Sequence, residues 1–199
     1  MIIDQYQSYR DKLGNREQIY RVIQANFGVK RALYPGSHID IGPSLYIEHV
    51  TYVDTYKGAM RFFRDLDKVK TYIDDHKTYE GASTVVFYGV DYYQLDLKET
   101  YDLVISQFAG FVGQATKKYL RSGGILLVND SHGDASLAYL DPEFDLVGVI
   151  DDQAIIRTDH LDRYFKFARP RVIDASWIRE QMKGPKYKHM ASNYIFKRL

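Results

Sequence analysis

Residues 101–130 read YDLVISQFAGFVGQATKKYLRSGGILLVND. The stretch contains two short apolar runs, Asp102–Ser106 and Gly124–Asn129, rich in Val, Ile and Leu and without strict alternation. Such runs fit strands covered on both faces, as in a parallel sheet. Between them, Phe111–Leu120 reads as a helix that closes on Arg121-Ser122-Gly123-Gly124, a basic last turn with a glycine stop. Strand, helix and strand in that order make a βαβ unit with a right-handed crossover.

The same pattern extends toward the N-terminus. Arg31–Tyr34, Val50–Asp54 and Thr84–Tyr88 read as three more buried strands, with helical stretches at Tyr56–Leu66 and Val69–Asp75. Residues 1–27 are helical, with Ile19, Val22, Ile23 and Phe27 on one face. Gly14-Asn15 breaks them into two helices, with Asn15 as N-cap and Gln18 three residues on, and Gly28 supplies a left-handed stop. Toward the C-terminus, a helix is expected over Ser131–Leu140 and a strand over Phe144–Ile150. Ala154–Arg157 is placed to pair with that strand across Asp151-Asp152. A further helix is expected over Ala175–Met182 and a last strand over Asn193–Leu199. The expectation is one doubly wound α/β domain over residues 1–199, with ligands at the carboxyl ends of its strands.

Composition agrees with a folded soluble domain: 199 residues, 45% hydrophobic, 27% charged. The absence of cysteine excludes a disulfide scaffold, a thiol nucleophile and cysteine-ligated zinc, and is compatible with a reducing cytosol, so a cytoplasmic protein is expected. The N-terminal MIIDQYQSYRDK has no signal-peptide character, and no apolar run is long enough to span a membrane. Charge is uneven. Arg163–Leu199 carries ten basic and two acidic residues, a net +8 in a chain whose total is +1. Aromatics are interleaved there, as on nucleic-acid surfaces. The reading preferred here is a solvated face, with Trp177, Tyr194 and Phe196 in the core.

Chemistry concentrates at the strand ends. The first strand runs into Tyr34-Pro35-Gly36-Ser37-His38-Ile39-Asp40. A glycine turn brings the backbone close to a ligand, and its N–H groups, with a helix start behind them, can face a carboxylate or phosphate. It can equally be only a turn. Asp54 stands eighteen positions beyond Gly36 at the tip of the second strand, the place of a ribose-binding carboxylate; a helix N-cap is the structural alternative. Asp91, in Tyr88-Gly89-Val90-Asp91-Tyr92, is placed to accept from an adenine amino group with Tyr92 or Val90 against the ring, or to serve as a turn aspartate. His132 and His38 are the histidines at the ligand edge of the sheet and the candidate bases.

Together, ALYPGSHIDIGPS, VTYVD, FYGVDY, YDLVISQF and YLRSGGILLVND resemble the class I S-adenosylmethionine-dependent methyltransferases over about residues 28–150. The first motif departs from the usual acidic residue followed by G-x-G-x-G and resembles a bacterial YPGS-type variant. The resemblance implies a Rossmann-like, mostly parallel seven-stranded sheet with a reversed last strand and N-terminal helices. Residues 28–150 would form the cofactor-binding core and residues 151–199 a C-terminal insertion plus the last strand. It implies S-adenosylmethionine as cofactor, S-adenosylhomocysteine as product, and a small-molecule acceptor. Tyr34, Gly36 and Ser37 would hold the methionine part, Asp54 and Thr55 the ribose, Asp91 and Tyr92 the adenine. Ser106, Gln107 and Phe108 would form the methyl-transfer edge. The N-terminal helices and residues 159–192 would form a lid.

Other chemistries fit less well. There is no G-x-G-x-x-G for NAD or FAD. Asn129-Asp130 reverses the Asp-Asn order of metal-dependent O-methyltransferases, and no metal is expected. The fourth strand is not followed by the Pro-Pro-aromatic motif of enzymes that methylate base amino groups. The rival from another class is a non-catalytic protein of this fold that binds an adenosine nucleoside or mediates assembly.

Overall fold

Strands that are apolar on both sides need a layer of helices on each face, and this chain draws those layers from separate regions. The structure, a computed structural model, describes residues 2–14 and 16–199. The expected Asn15 cap lies outside the described residues. Helices α1 (Ile2–Leu13) and α2 (Arg16–Phe27) flank Gly14, and α2 stops at Gly28, which adopts φ +60° and donates its N–H to the Gln24 carbonyl at 2.8 Å. There follow β1 (Arg31–Pro35), β2 (His49–Val53), α3 (Lys57–Phe62), α4 (Leu66–His76), β3 (Thr84–Tyr88) and β4 (Tyr101–Ser106). The second half comprises α5 (Val112–Thr116), β5 (Leu120–Val128), α6 (Asp134–Leu140), β6 (Phe144–Ile150), β7 (Ile156–Arg157), α7 (Ala175–Gln181) and β8 (Asn193–Arg198).

Among the described residues, eight strands form one sheet in the order β3-β2-β1-β4-β5-β8-β6-β7. β1 to β5 are mutually parallel, and β8 is antiparallel to both β5 and β6, the expected reversed last strand. The count is eight rather than seven because Ile156–Arg157 folds back on β6 as a short edge strand. Asp151 shapes that hairpin, one carboxylate oxygen accepting from the N–H groups of Gln153 (3.0 Å) and Ile155 (2.9 Å).

Two local expectations are corrected. The Arg121–Gly124 stretch is not a helix end. β5 begins at Leu120, opposite Tyr101, and the register then shifts so that Leu103 faces Ile125, with Gly123 at φ +73°. The extra residues form a bulge, which the positive φ of glycine accommodates. Second, no α-helix follows the glycine turn after β1. Residues 36–48 hold one 3-10 turn, Gly42–Leu45, and α2, which precedes β1 in the chain, packs against it.

Alternation along β4 shows how the layers divide. Leu103 and Ile105 join Tyr20, Ile23, Val69 and Ile73 of α2 and α4 on one face. Val104 between them joins Val112, Ala135 and Ala138 of α5 and α6 on the other. Each such fully buried Leu, Ile or Val contributes about 1.5–3 kcal/mol. Tyr164, Phe165 and Tyr187 belong to the second core, so part of the 159–192 segment is core rather than lid. Tyr194 and Phe196 are buried as expected, whereas Trp177 is 40% exposed and outside the core. No helix among the described residues is long and apolar enough to cross a membrane.

Candidate functional site

The carboxyl ends of the first three strands are stitched together by backbone and carboxylate hydrogen bonds. Gly36, at φ +65°, donates its N–H to the Val53 carbonyl at 2.7 Å, and Ser37 donates to the same oxygen at 3.4 Å. Asp54 accepts from the His38 N–H and the Tyr56 N–H, each at 2.7 Å, and its own N–H donates to Tyr88. Asp54 therefore organises the turn. It caps neither α3 nor any other helix, since Tyr56 is the N-cap of α3. The expected free N–H groups of the glycine turn are corrected here: those of Gly36 and Ser37 are committed to Val53.

Two cavities meet at Gly36. The outer one, about 150 Å³, is lined by Gly36, Asp54, Thr55, Val90, Asp91, Tyr92 and Tyr93. Its floor is rigid. Asp91 accepts from the Tyr93 N–H at 2.9 Å, and the Tyr92 hydroxyl donates to the Ala109 carbonyl at 2.8 Å. The inner cavity, about 450 Å³, is lined by Tyr9, Leu13, Arg16, Tyr34, Gly36, His38, Gln107 and Phe108. A third, about 260 Å³, shares Leu13, Arg16, Gln107 and Phe108 and continues to Asp151, Asp152, Ser192 and Asn193. The three run along the carboxyl edge of the sheet, from β3 past β1 to the β6–β7 hairpin.

Charge in this cleft centres on Arg16, missed in the sequence. Asp40, only 3% exposed, accepts from the Tyr20 hydroxyl (2.7 Å), the Tyr34 hydroxyl (3.1 Å) and the Gly42 N–H (3.1 Å). Arg16 reaches it only at 3.5 Å. Among the described residues Asp40 is its ion-pair partner and Tyr9 shares a side-chain hydrogen bond with it, and the guanidinium lines two of the cavities. Burial opposes the charge of Arg16, but Tyr34, Tyr20 and Asp40 outweigh it and its pKa is raised. The guanidinium stands 5.3 Å from the Phe108 ring centroid, and Phe108 is 59% exposed at φ +57°. A bulky side chain held in that backbone region marks strain of the kind that collects at ligand sites. Tyr9, also missed, has its pKa pushed up to about 12 by burial and by Asp40.

His38 lies in the wall between Tyr9 and Tyr56, stacked on both at centroid distances of 4.8 and 5.0 Å. Its Nδ1 is buried without a hydrogen-bond partner. Burial lowers its pKa below the ordinary value against the opposing pull of Asp54 and Asp40. His132 is placed differently: its Nδ1 meets the Ser131 hydroxyl at 3.0 Å, and it lines none of the three cavities.

At the ends of β4 and β5 the polar side chains are mostly locked. Gln107 donates to Asn193 Oδ1 at 2.5 Å and accepts from Asn129 Nδ2 at 3.1 Å, while Asn129 Oδ1 accepts from the Ser131 hydroxyl at 2.7 Å. Ser106 is buried and donates to Asp134 at 2.6 Å, so it braces the β4 end and lines none of the cavities. Ser37 is buried too, at 1% exposure. Asp134 also accepts from the Gly113 N–H at 2.7 Å, and neighbouring Asp130 accepts from the Ser136 N–H and hydroxyl at 2.8 and 2.7 Å. Burial is the largest cause pushing both carboxyls up, each to about 6.

No family model matches the chain, and no curated protein matches it. Solved structures do match. A methyltransferase from Geobacter sulfurreducens aligns at TM-score 0.52 and 10% identity over 74% of this chain and 82% of its own. A Corynebacterium glutamicum protein aligns at TM-score 0.52 and 12% identity over 74% and 84%. The chain has the methyltransferase-type fold. The N-methyltransferase NodS from Bradyrhizobium japonicum is also similar, at TM-score 0.47 and 12% identity over 91% and 92%. In a methyltransferase-type sheet, as in other open α/β sheets, ligands sit outside the carboxyl ends of the strands, and the three cavities lie along that edge.

The sequence-predicted residues thus divide. Tyr34, Gly36, His38, Gln107 and Phe108 come together in the inner cavity, and Gly36, Asp54, Thr55, Asp91 and Tyr92 in the outer one. Ser37, Ser106 and His132 support the surroundings. Nothing in the spacing of Tyr9 and Arg16 ties them to β1. The only signal was an arginine and a tyrosine on helices that otherwise show an ordinary amphipathic pattern.

Proposed function

We propose that the cleft binds S-adenosylmethionine and that the protein transfers its methyl group to a small-molecule acceptor. The observation that carries this reading is that the three cavities adjoin at Gly36 and Arg16: a hollow with two carboxylates, a central chamber with one cation, and a further chamber where Asp151, Asp152, Ser192 and Asn193 stand beside Leu13 and Ile19. The residues fit the cofactor's chemistry. Each Asp54 oxygen has accepted one backbone N–H and keeps capacity for a ribose hydroxyl. Asp91 keeps one oxygen for the adenine amino group. Arg16 takes the role expected of the glycine turn and holds the methionine carboxylate. Tyr9 and Phe108 offer ring faces toward a sulfonium. When bound, the cofactor supplies an electrophilic methyl group, and the protein supplies alignment and desolvation.

The third chamber, lined by Asp152, Ser192 and Asn193, receives the acceptor. His38 lines the inner chamber rather than the third, so it takes the proton of an acceptor whose reacting group extends past Gln107 and Phe108 into the inner chamber. His132 lies outside the chambers and is left with a supporting role.

A second reading, a non-catalytic nucleoside-binding protein, is favoured by the commitment of the Gly36 and Ser37 N–H groups to Val53. Calorimetric titration with S-adenosylmethionine and S-adenosylhomocysteine tests both, with Asp54→Asn and Arg16→Gln checked by circular dichroism. Micromolar binding weakened at least tenfold by each substitution supports the cofactor assignment. No binding to folded wild-type protein overturns it. Binding without turnover across amine, hydroxyl and carboxylate acceptors supports the second reading.

A further inference from the structure

Trp177 is the single tryptophan of the chain. Helix α7 packs Ile178 so tightly on the start of α6 that a Cβ on Gly133 would stand 2.3 Å from it, which leaves Trp177 facing outward. With Phe167, Val172 and Pro185 the indole lines a cavity of about 250 Å³ separate from the cleft. Val172 is 86% exposed. Arg171 stands with its guanidinium 4.1 Å from the Phe167 ring centroid, and Asp174 at the rim accepts from the Trp177 N–H at 3.0 Å.

The charge around this cavity is one-sided. Elsewhere several cations are matched, as Arg31 with Glu99 (3.2 Å), Arg121 with Asp102 (2.7 Å), Lys117 with Asp141 (2.7 Å) and Arg157 with Asp151 (2.8 Å), while others such as Arg21, Arg61 and Arg64 have no carboxylate within 4.0 Å among the described residues. Residues 163–190 carry eight basic and two acidic side chains. Among the described residues, Arg169, Arg171, Arg179, Lys183, Lys186 and Lys188 are exposed with no carboxylate within 4.0 Å, and Lys166 pairs with Asp162.

Unpaired cations beside an exposed ring are what a flexible polyanion with planar bases requires: the cations track its backbone and the ring stacks a base. An acidic protein segment would meet the cations and leave the indole unused. We propose that residues 163–190 bind single-stranded nucleic acid, with a base stacked on Trp177 and phosphates on Arg171 and its unpaired neighbours. This site is separate from the cofactor cleft and does not rest on the methyl-transfer reading.

Because Trp177 is single, its fluorescence reports the site directly. Titration of the full chain with an oligothymidylate of about 16 nucleotides is expected to quench it saturably. Affinity should fall about 50-fold between 50 and 200 mM salt if four phosphates are neutralised. Trp177→Ala, followed by anisotropy of a labelled oligonucleotide, should weaken binding roughly 5- to 100-fold, and Arg171→Glu at least tenfold, both in folded protein. Heparin or polyglutamate binding as tightly as the oligonucleotide at matched salt, with the Trp177→Ala protein unaffected, would reduce the patch to charge alone and overturn the proposal. Absence of quenching by the oligonucleotide at 50 mM salt overturns it as well.

Discussion

Gly36 and Ala109 meet where the loops after β1 and β4 come together: a Cβ on Gly36 would stand 2.1 Å from that of Ala109. The contact joins the turn after β1 to the loop that carries Gln107 and Phe108, and so fixes the width of the inner chamber. Gly36→Ala must both push Ala109 aside and hold a positive φ. It is expected to cost about 2–4 kcal/mol and roughly 10 °C in Tm, measured by thermal unfolding. Gly36→Ala combined with Ala109→Gly should recover part of the loss, since the overlap is with the Ala109 methyl.

The depressed pKa of His38 gives a pH signature. A base acts only when deprotonated, so kcat/KM should hold at neutral pH and fall on an acid limb below pH 6.5, the ordinary histidine value. His38→Gln should abolish that limb and lower kcat by about 10²–10⁴-fold. If the residue only supports Tyr9 and Tyr56, the limb persists in the variant and KM moves instead.

Asp130 and Asp134 make stability depend on pH with a defined sign. Their carboxyl pKa values rise from 3.8 in the unfolded chain to about 6 in the folded one, so the folded state binds more protons between those limits. Stability is then fullest below pH 3.8 as far as these groups are concerned, declines as pH rises to about 6, and is level above. Asp134→Asn removes the charge while keeping acceptors for Ser106 and Gly113. It should stabilise the protein by about 1–3 kcal/mol at pH 7.5 relative to pH 4.5, read from urea midpoints at the two pH values.

The buried carboxylate of Asp40 gathers three donors besides Arg16, and the cluster ties α2 to the loop after β1. Tyr20→Phe removes the shortest of them and should cost about 1.5–3 kcal/mol in a chemical melt, the range for a hydrogen bond to a charged group. Tyr34→Phe, with the longer bond, should cost less. Loss of either hydroxyl also loosens Arg16, so S-adenosylmethionine binding should weaken in step.

The strands were legible because apolar runs between turn signals have few alternatives: Thr84–Tyr88 and Phe144–Ile150 stand where the pattern put them, and the others differ mainly at their ends. The errors fell where tertiary contacts decide. Arg121–Gly124 carries every mark of a helix stop, yet pairing with β4 draws Leu120 into the strand and leaves the glycines as a bulge. The single tryptophan was expected in the core with Tyr194 and Phe196, but Ile178 takes the inward position on α7. In the cleft, the places of Gly36, Asp54 and Asp91 were readable because their positions at the strand ends follow from strand order. Arg16 and Tyr9 were not, because helices distant in sequence reach the site only through packing.

The Asp40 cluster joins the ligand chamber to the N-terminal end of the fold. α1 meets the strand ends through Tyr9 on His38 and meets α4 through Tyr6 on Tyr72, while α2 reaches the loop after β1 through Asp40 and the sheet through Tyr20 and Ile23. A carboxylate held on Arg16 would add one more clasp between these helices and the strand ends, so the occupancy of the cleft and the mechanical resistance of the N-terminal helices should rise together.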